Sequence, residues 1–303
     1  MNVDTGPKVT KIIEALLAKY PKHEQFVGRR FQGLSGAEME TCEALADQIL
    51  KLAALDLETF IDGYEFICQI QKEEELYFRR NNSYRLISFQ EALDQIYSNS
   101  EYMAAYMRGL LLTQLLWTNH TQSIDFYTRR FLRNLPDGTE LLEIGPGHGL
   151  LLARAVQAVG HGRVTGWDVS ESSLSHTRSA MASLGVTNGF TLEARNLFDR
   201  QEKTFDAVVF SEVLEHLEDP KGALSAIRGL IRPGGRLFLN VPINSPAPDH
   251  IFLLRSPEET FELVEGQGFS ILEPGCFPAT NYTLEQAARH KLTVSVALIA
   301  TPA

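Results

Sequence analysis

The sequence has few cysteines, a shortage of positive charge and no long hydrophobic run. Its three cysteines, Cys42, Cys68 and Cys276, are too few and too widely spaced for a disulfide framework or a zinc site. Lysine and arginine number 28 against 38 aspartates and glutamates. The net charge of −10 argues against a nucleic-acid partner, because phosphate binding needs a basic face. The most apolar stretch, residues 102–117, is too short to span a bilayer, and the polar first ten residues lack a secretion signal. We therefore expect a cytoplasmic protein without a membrane partner.

The chain changes its pattern near residue 135. Before this point, apolar residues recur at helical spacing, and Ser35 and Ser88 each begin an S-x-x-E capping box. We therefore predict an all-α domain over residues 1–135, closed by the turn Pro136-Asp137-Gly138. Over residues 136–303, short strand-like segments alternate with helical ones, which predicts a doubly wound α/β sheet.

A glycine-rich turn follows the first predicted strand of the second half. The apolar residues 141–144 lead into Gly145-Pro146-Gly147-His148-Gly149 and then into an apolar helix. Such a strand–turn–helix unit brings a ligand against the backbone at the carboxyl edge of a sheet. Glu143, two residues before the first glycine, would repel a pyrophosphate but attract an ammonium group. The next strand ends in Asp168, an acid placed to bind two ribose hydroxyls. Ribose, ammonium and no phosphate together favour S-adenosylmethionine.

These motifs resemble those of the class I S-adenosylmethionine-dependent methyltransferases. Residues 193–199, 205–216 and 231–237 resemble the family's adenine-side segment, its fourth-strand motif and the turn before its fifth strand. The resemblance implies a seven-stranded Rossmann-like sheet with an antiparallel last strand. The family often has an acid at the position of Asn196, whose amide can still bond an adenine amino group. The implied cofactor-binding residues are Glu143, Gly145, Pro146, Gly147, Gly149, Asp168, Val169, Asn196, Leu197 and Ser211.

Two carboxylates and two imidazoles are expected together at this sheet edge. If a helix begins after the fourth strand, Glu212, Glu215 and His216 share one of its faces, and His250 follows the neighbouring strand. The favoured interpretation is metal-free, with His216 lining the acceptor pocket as the general base. In the alternative, all four side chains hold a divalent metal. The run E-x-x-E-H with a later histidine is similar to the metal set of some RNA 2′-hydroxyl and quinone-biosynthesis O-methyltransferases.

The resemblance implies a methyltransferase of secondary or cofactor metabolism that acts on a small molecule, with oxygen favoured over nitrogen or carbon as the methylated atom. We expect residues 1–135 to form a lid, and Tyr106, Trp117, His120, His216 and His250 to contact the acceptor. Two alternatives stay open: a non-catalytic S-adenosylmethionine-binding regulatory protein, and a metal-dependent RNA 2′-O-methyltransferase, which conflicts with the net charge. A homodimer is left open. The other histidines are assigned no chemistry and are expected at the surface: His23, His148, His161, His176 and His290.

Overall fold

The protein forms one seven-stranded sheet preceded by a helical region. The computed structural model describes residues 5–54, 56–160, 163–200 and 203–303. The strands are β1 (Leu141–Ile144), β2 (Val164–Asp168), β3 (Phe190–Ala194), β4 (Phe205–Ser211), β5 (Ile231–Ile243), β6 (Phe269–Pro278) and β7 (Val294–Pro302). The helices before the sheet are α1 (Pro7–Lys19), α2 (Glu24–Arg30), α3 (Gly36–Ala53), α4 (Leu57–Asn81), α5 (Phe89–Ala92), α6 (Ser100–Leu116) and α7 (Thr118–Phe126). Those within the sheet half are α8 (Leu150–Val159), α9 (Glu171–Ser183), α10 (Pro220–Leu230), α11 (Pro257–Glu265) and α12 (Leu284–His290).

The sheet has the strand order β3-β2-β1-β4-β5-β7-β6. β7 runs antiparallel to both of its neighbours, whereas the pairs among β1 to β5 are parallel. The order reverses between β1 and β4, and ligands of doubly wound sheets bind at the carboxyl ends of the strands beside such a reversal. The predicted α/β class and the antiparallel last strand are therefore confirmed.

The helical half packs on the sheet through a shared hydrophobic core. One buried cluster contains Leu16 and Leu115 from the helices together with Phe238 from β5. The rings of Tyr127 and Phe131, just after α7, lie 4.9 Å and 5.5 Å from that of Phe238. These apolar contacts hold α6 and α7 beside the sheet, where both contribute to the candidate site.

Two long helices of this half, α4 and α6, cross at a pair of glycines. A Cβ atom on Gly109 of α6 would lie 2.2 Å from the carbonyl oxygen of Gly63 on α4. Only a residue without a side chain permits this approach. The crossing positions α6, whose preceding turn brings Tyr106 into contact with Asp249 and the Met107 carbonyl into contact with His148.

Several sequence expectations need correction. The pattern of residues 121–135 predicts one regular helix, whereas the observed helix begins at Thr118 and changes at Tyr127 into a π-helical turn and then a 3-10 turn. His23 is not a surface residue, because its side chain is only 11% exposed and lies 2.8 Å from Glu65. His176 and His290 are exposed as expected, and His161 lies outside the described residues. None of the helices in the described part of the chain combines the length and apolar character that crossing a bilayer requires.

Candidate active site

The glycine loop after β1 is held from both sides. Each of its three glycines within residues 145–149 has a positive φ, a conformation that side-chain-bearing residues rarely adopt. The Thr177 hydroxyl donates to the Gly147 carbonyl at 2.8 Å. On the other side, His148 Nε2 donates to the Met107 carbonyl of α6 at 2.7 Å. The expectation that His148 is exposed is therefore wrong: it is partly buried, and burial lowers its pKa. The histidine ties the loop to the helical half.

Glu143, beside this loop, is a buried carboxylate. It is 3% exposed, and its Oε2 atom has no hydrogen-bond partner in the part of the chain that the structure describes. Burial raises its pKa to about 8, because a charged carboxylate loses its hydration inside the protein. A buried acid with an unused acceptor oxygen, facing a cavity, fits the ammonium group of S-adenosylmethionine.

Asp168 ends β2 with its carboxylate held in one orientation. Its Oδ1 atom accepts the Ser170 N–H at 2.9 Å, and its Oδ2 atom accepts the Ser173 hydroxyl at 2.7 Å. Each oxygen keeps a further lone pair, so the carboxylate is compatible with ribose hydroxyls as additional donors.

The segments that follow β2 and β3 present apolar side chains at the surface. Val169 is 67% exposed and Phe198 is 52% exposed, whereas Leu197 is buried. Asn196 accepts the backbone N–H of Phe198 through its Oδ1 atom at 3.0 Å. Exposed apolar groups beside an amide are suited to an adenine ring, although this region lies outside the cavity described next.

A cavity of about 290 Å³ lies between the glycine loop, the ends of β4 and β5, and helices α6 and α7. Predicted site residues lining it are Glu143, Gly145, Pro146, Gly147, Ser211, Glu212, Glu215, His216, His250, Tyr106 and His120. Those that do not line it are Gly149, Asp168, Val169, Asn196, Leu197 and Trp117. A second cavity of about 620 Å³ is lined by Trp117, and His120 lines both cavities. The structure thus brings together most of the predicted methionine and acceptor residues, but not Trp117, and leaves the predicted ribose and adenine residues outside.

The chain leaves β4 through a strained turn, so the predicted helix with a three-residue stripe is wrong. Glu212 has a φ of +56°, and only a 3-10 turn, Leu214–His216, follows. Non-glycine residues in this conformation cluster at functional sites. The Glu212 carboxylate accepts a hydrogen bond from Asn240 at 2.8 Å, and burial raises its pKa to about 7. Glu212, Glu215 and His216 nevertheless line the same cavity.

Two imidazoles, those of His216 and His250, lie edge to face in this cavity, with ring centroids 4.9 Å apart. Nδ1 of His216 lies 3.0 Å from the Asp249 carbonyl oxygen, and Nδ1 of His250 lies 2.7 Å from the Ser245 carbonyl oxygen. Because a carbonyl oxygen only accepts, each Nδ1 must carry the hydrogen. In the neutral form of each ring, Nε2 is therefore left with a bare lone pair.

Both of these Nε2 atoms lie 3.9 Å from the same oxygen, Oε1 of Glu215. Glu215 is fully buried, and among the described residues neither of its carboxylate oxygens has a hydrogen-bond partner. Burial raises its pKa well above the ordinary range, and the nearby Glu212 adds to the effect. Ligand atoms of Glu215, His216 and His250 all lie within 4.8 Å of one another. The two 3.9 Å separations are compatible with a metal ion bound at about 2.0–2.2 Å from nitrogen and oxygen ligands, because two such ligands can lie up to about 4.4 Å apart. Glu212, engaged by Asn240, falls outside this group.

Comparisons with known proteins agree with this fold and its cofactor motifs. Residues 142–237 match the family model described as a methyltransferase domain. Ubiquinone biosynthesis O-methyltransferase of Alkalilimnicola ehrlichii is 31% identical over 129 residues, which are 42% of this chain and 51% of that protein. The enzyme of the same name from Idiomarina loihiensis is 35% identical over 114 residues, which are 36% of this chain and 46% of that protein. The chain thus spans about half the length of the curated relatives it matches.

A solved structure supports the fold alone. The complex between the Haloferax volcanii Trm112 methyltransferase activator and a methyltransferase contains a similar chain, with a TM-score of 0.53 and 17% identity. The match covers 69% of this chain and 99% of that one. Residues 142–237 are therefore similar to a methyltransferase domain, and the fold of the second half is the one that the sequence motifs predicted. Its similarity in sequence is to enzymes named for O-methylation.

Proposed function

We propose that this protein transfers the methyl group of S-adenosylmethionine to an oxygen atom of a small molecule. The observation that carries the proposal is the cavity that joins the buried Glu143 to the cluster of Glu215, His216 and His250. When bound, the cofactor supplies a methyl group on a good leaving group, so the protein contributes mainly alignment and removal of water. Glu143 would bind the ammonium group, and Asp168 the ribose. The names of the relatives support oxygen as the acceptor atom.

We further propose a divalent cation held by Glu215, His216 and His250. The support is the convergence of two bare nitrogen lone pairs on a carboxylate without a hydrogen-bond partner, since three groups of this kind repel unless a cation or a proton lies between them. A bound cation would hold the acceptor oxygen and lower its pKa. This proposal replaces the metal-free interpretation of His216 as a lone base, because its Nε2 atom lies 3.9 Å from the same Glu215 oxygen as Nε2 of His250.

The acceptor would enter beneath the helical half. We propose that residues 1–135 act as the lid and acceptor-binding domain and that residues 136–303 bind the cofactor. Support comes from α6 and α7, which form one wall of the cavity. His120, at the junction of both cavities, would contact an acceptor that extends toward Trp117. Enclosure under helices suits a small molecule better than a polymer.

A methyl-transfer assay on cation-depleted protein tests both proposals. Labelled S-adenosylmethionine is supplied with a panel of phenols and catechols, with chelator present or with Mg²⁺, Mn²⁺, Co²⁺ or Zn²⁺ restored. We expect O-methylated product only with a cation. Glu215→Gln should lower turnover by about 100-fold or more while S-adenosylhomocysteine still binds. The exposed Glu265→Gln serves as the matched control.

Each part of the proposal fails on a different result. Activity that survives exhaustive chelation would refute the cation, and an N-methylated product would refute the choice of oxygen. Tight S-adenosylhomocysteine binding without transfer to any acceptor would favour the non-catalytic regulatory alternative.

A further inference from the structure

We propose that Asp249 is a positioning residue for His216 and that two tyrosines of the helical half, Tyr97 and Tyr106, hold it in place. Through this contact the helical half would complete a site whose ligands all belong to the sheet half. The inference rests on the proposed function, because it gives His216 the role of a ligand.

Asp249 lies in the loop after β5 and is only 5% exposed. Its Oδ1 atom accepts the Tyr106 hydroxyl at 3.0 Å, and its Oδ2 atom accepts the Tyr97 hydroxyl at 3.3 Å. The same residue accepts the Nδ1 hydrogen of His216 through its backbone carbonyl at 3.0 Å. Its Oδ2 atom is 3.7 Å from that nitrogen. Asp249 therefore contacts His216 with its backbone and its charge, and the tyrosines with its side chain.

The negative charge beside Nδ1 has a definite effect on the ring. A carboxylate near Nδ1–H stabilises the tautomer with hydrogen on Nδ1, leaves Nε2 free to bind and makes Nε2 a stronger donor of its lone pair. Because the tyrosine hydroxyls occupy both carboxylate oxygens, they fix the loop that presents the Asp249 carbonyl. Together these contacts set both the proton position and the direction of the imidazole.

The tyrosines come from two elements that close over the turn after β4. Tyr97 ends a π-helical turn, Leu93–Tyr97, and its hydroxyl also lies 3.3 Å from Nδ1 of His216. Such turns occur often at functional sites. Just before this turn, the N–H of Phe89 donates to the carboxylate of Glu218 at 2.8 Å. The segment from Phe89 to Tyr97 thus contacts the sheet half at both of its ends.

His250 provides an internal comparison. Its Nδ1 atom donates to Ser245, a residue of the same loop, and its ring packs 5.8 Å from that of Tyr84. The contacts of Asp249 should therefore fix the tautomer and orientation of the His216 ring and leave those of His250 unchanged. A general loosening of the fold would affect both rings.

The test uses the full chain with ¹⁵N-labelled histidine and two variants, Asp249→Asn and Tyr97→Phe. Tyr102→Phe, which removes a hydroxyl from α6 where the ring packs on Phe66, is the control. In cation-free protein, we expect His216 and His250 to carry hydrogen on Nδ1, as read from their ring nitrogen shifts. Both test variants should increase the Nε2–H fraction of His216 alone. Mn²⁺ titration should then show affinity weakened by about tenfold or more, with the control at the wild-type value.

The outcomes distinguish failure of the positioning role of Asp249 from failure of the proposed cation site. Wild-type tautomers and wild-type Mn²⁺ affinity in both variants would overturn the positioning role. Equal changes at His250 would also overturn it, because they would indicate a general structural effect. If no form binds Mn²⁺ but the His216 tautomer changes as expected, Asp249 keeps its role and the proposed cation is refuted. Tyr97→Phe decides the case if Asp249→Asn fails to fold, since it removes one hydroxyl from a partly exposed residue.

Discussion

Cofactor binding should release a proton from Glu143. In the ligand-free protein, burial raises the pKa of this carboxyl to about 8, so at pH 7 it is mostly protonated. An ammonium group placed against it would favour the charged form and return the pKa toward its ordinary value. The proton must then leave as the ligand enters, which makes binding depend on pH.

The magnitude follows from the size of the shift. At pH 7, a group with a pKa of about 8 is about 90% protonated, so binding should release about 0.9 proton. The released number should approach zero above about pH 9, where the carboxyl is already charged. In the free protein, the change from 4.5 to about 8 corresponds to roughly 5 kcal/mol. The folded form binds this proton more tightly than the unfolded form. The free energy of unfolding therefore falls as the pH rises from about 4.5, the unfolded pKa, to about 8, the folded pKa.

Titration calorimetry measures the proton directly. S-adenosylhomocysteine is titrated at pH 7 in buffers of different ionisation enthalpy, and the slope of the observed heat gives the number released. Glu143→Gln should remove most of this slope, weaken binding and flatten the dependence of unfolding free energy on pH. A wild-type slope of zero, or the same slope in the variant, would refute the assignment of a protonated Glu143 to the ammonium site.

Three further outcomes are expected. Asp168→Ala should weaken S-adenosylhomocysteine binding by about tenfold or more in calorimetry, because bonds to ribose are lost; unchanged affinity would remove the ribose role. Gly109→Ala should lower the melting temperature, since its Cβ would lie 2.2 Å from the Gly63 carbonyl. Gly229→Ala, in α10 with open space around the added atom, should leave the melting temperature unchanged or raise it. Equal changes in melting temperature for the two variants would contradict the packing argument. Trp117→Ala should raise the acceptor KM with little change in kcat. An unchanged KM would show that the second cavity does not bind the acceptor.

Local sequence patterns determined the fold class and the cofactor motifs. Alternation of apolar strands with helices predicted the doubly wound sheet, because the spacing of apolar residues along the sequence reflects which face of each element is buried. The capping box at Ser35 is present as predicted, since it involves residues three positions apart. The glycine turn after residues 141–144 was predictable for the same reason: positive φ values and the acid beside them are local features.

Only the tertiary structure decided how the side chains at the carboxyl ends of β4 and β5 are arranged. The contacts of Tyr97 with His216 and with Asp249 join residues 119 and 152 positions apart, and no local pattern reports such pairs. Asp249 was missed for this reason, although its place beside His250 in the sequence could have suggested it. The predicted helix after β4 is wrong because Glu212 adopts a φ of +56°, which a regular helix does not allow. The bare Nε2 atoms and the buried, unpaired Glu215 depend on which carbonyls and apolar groups surround them. Those surroundings exist only after distant segments have folded together.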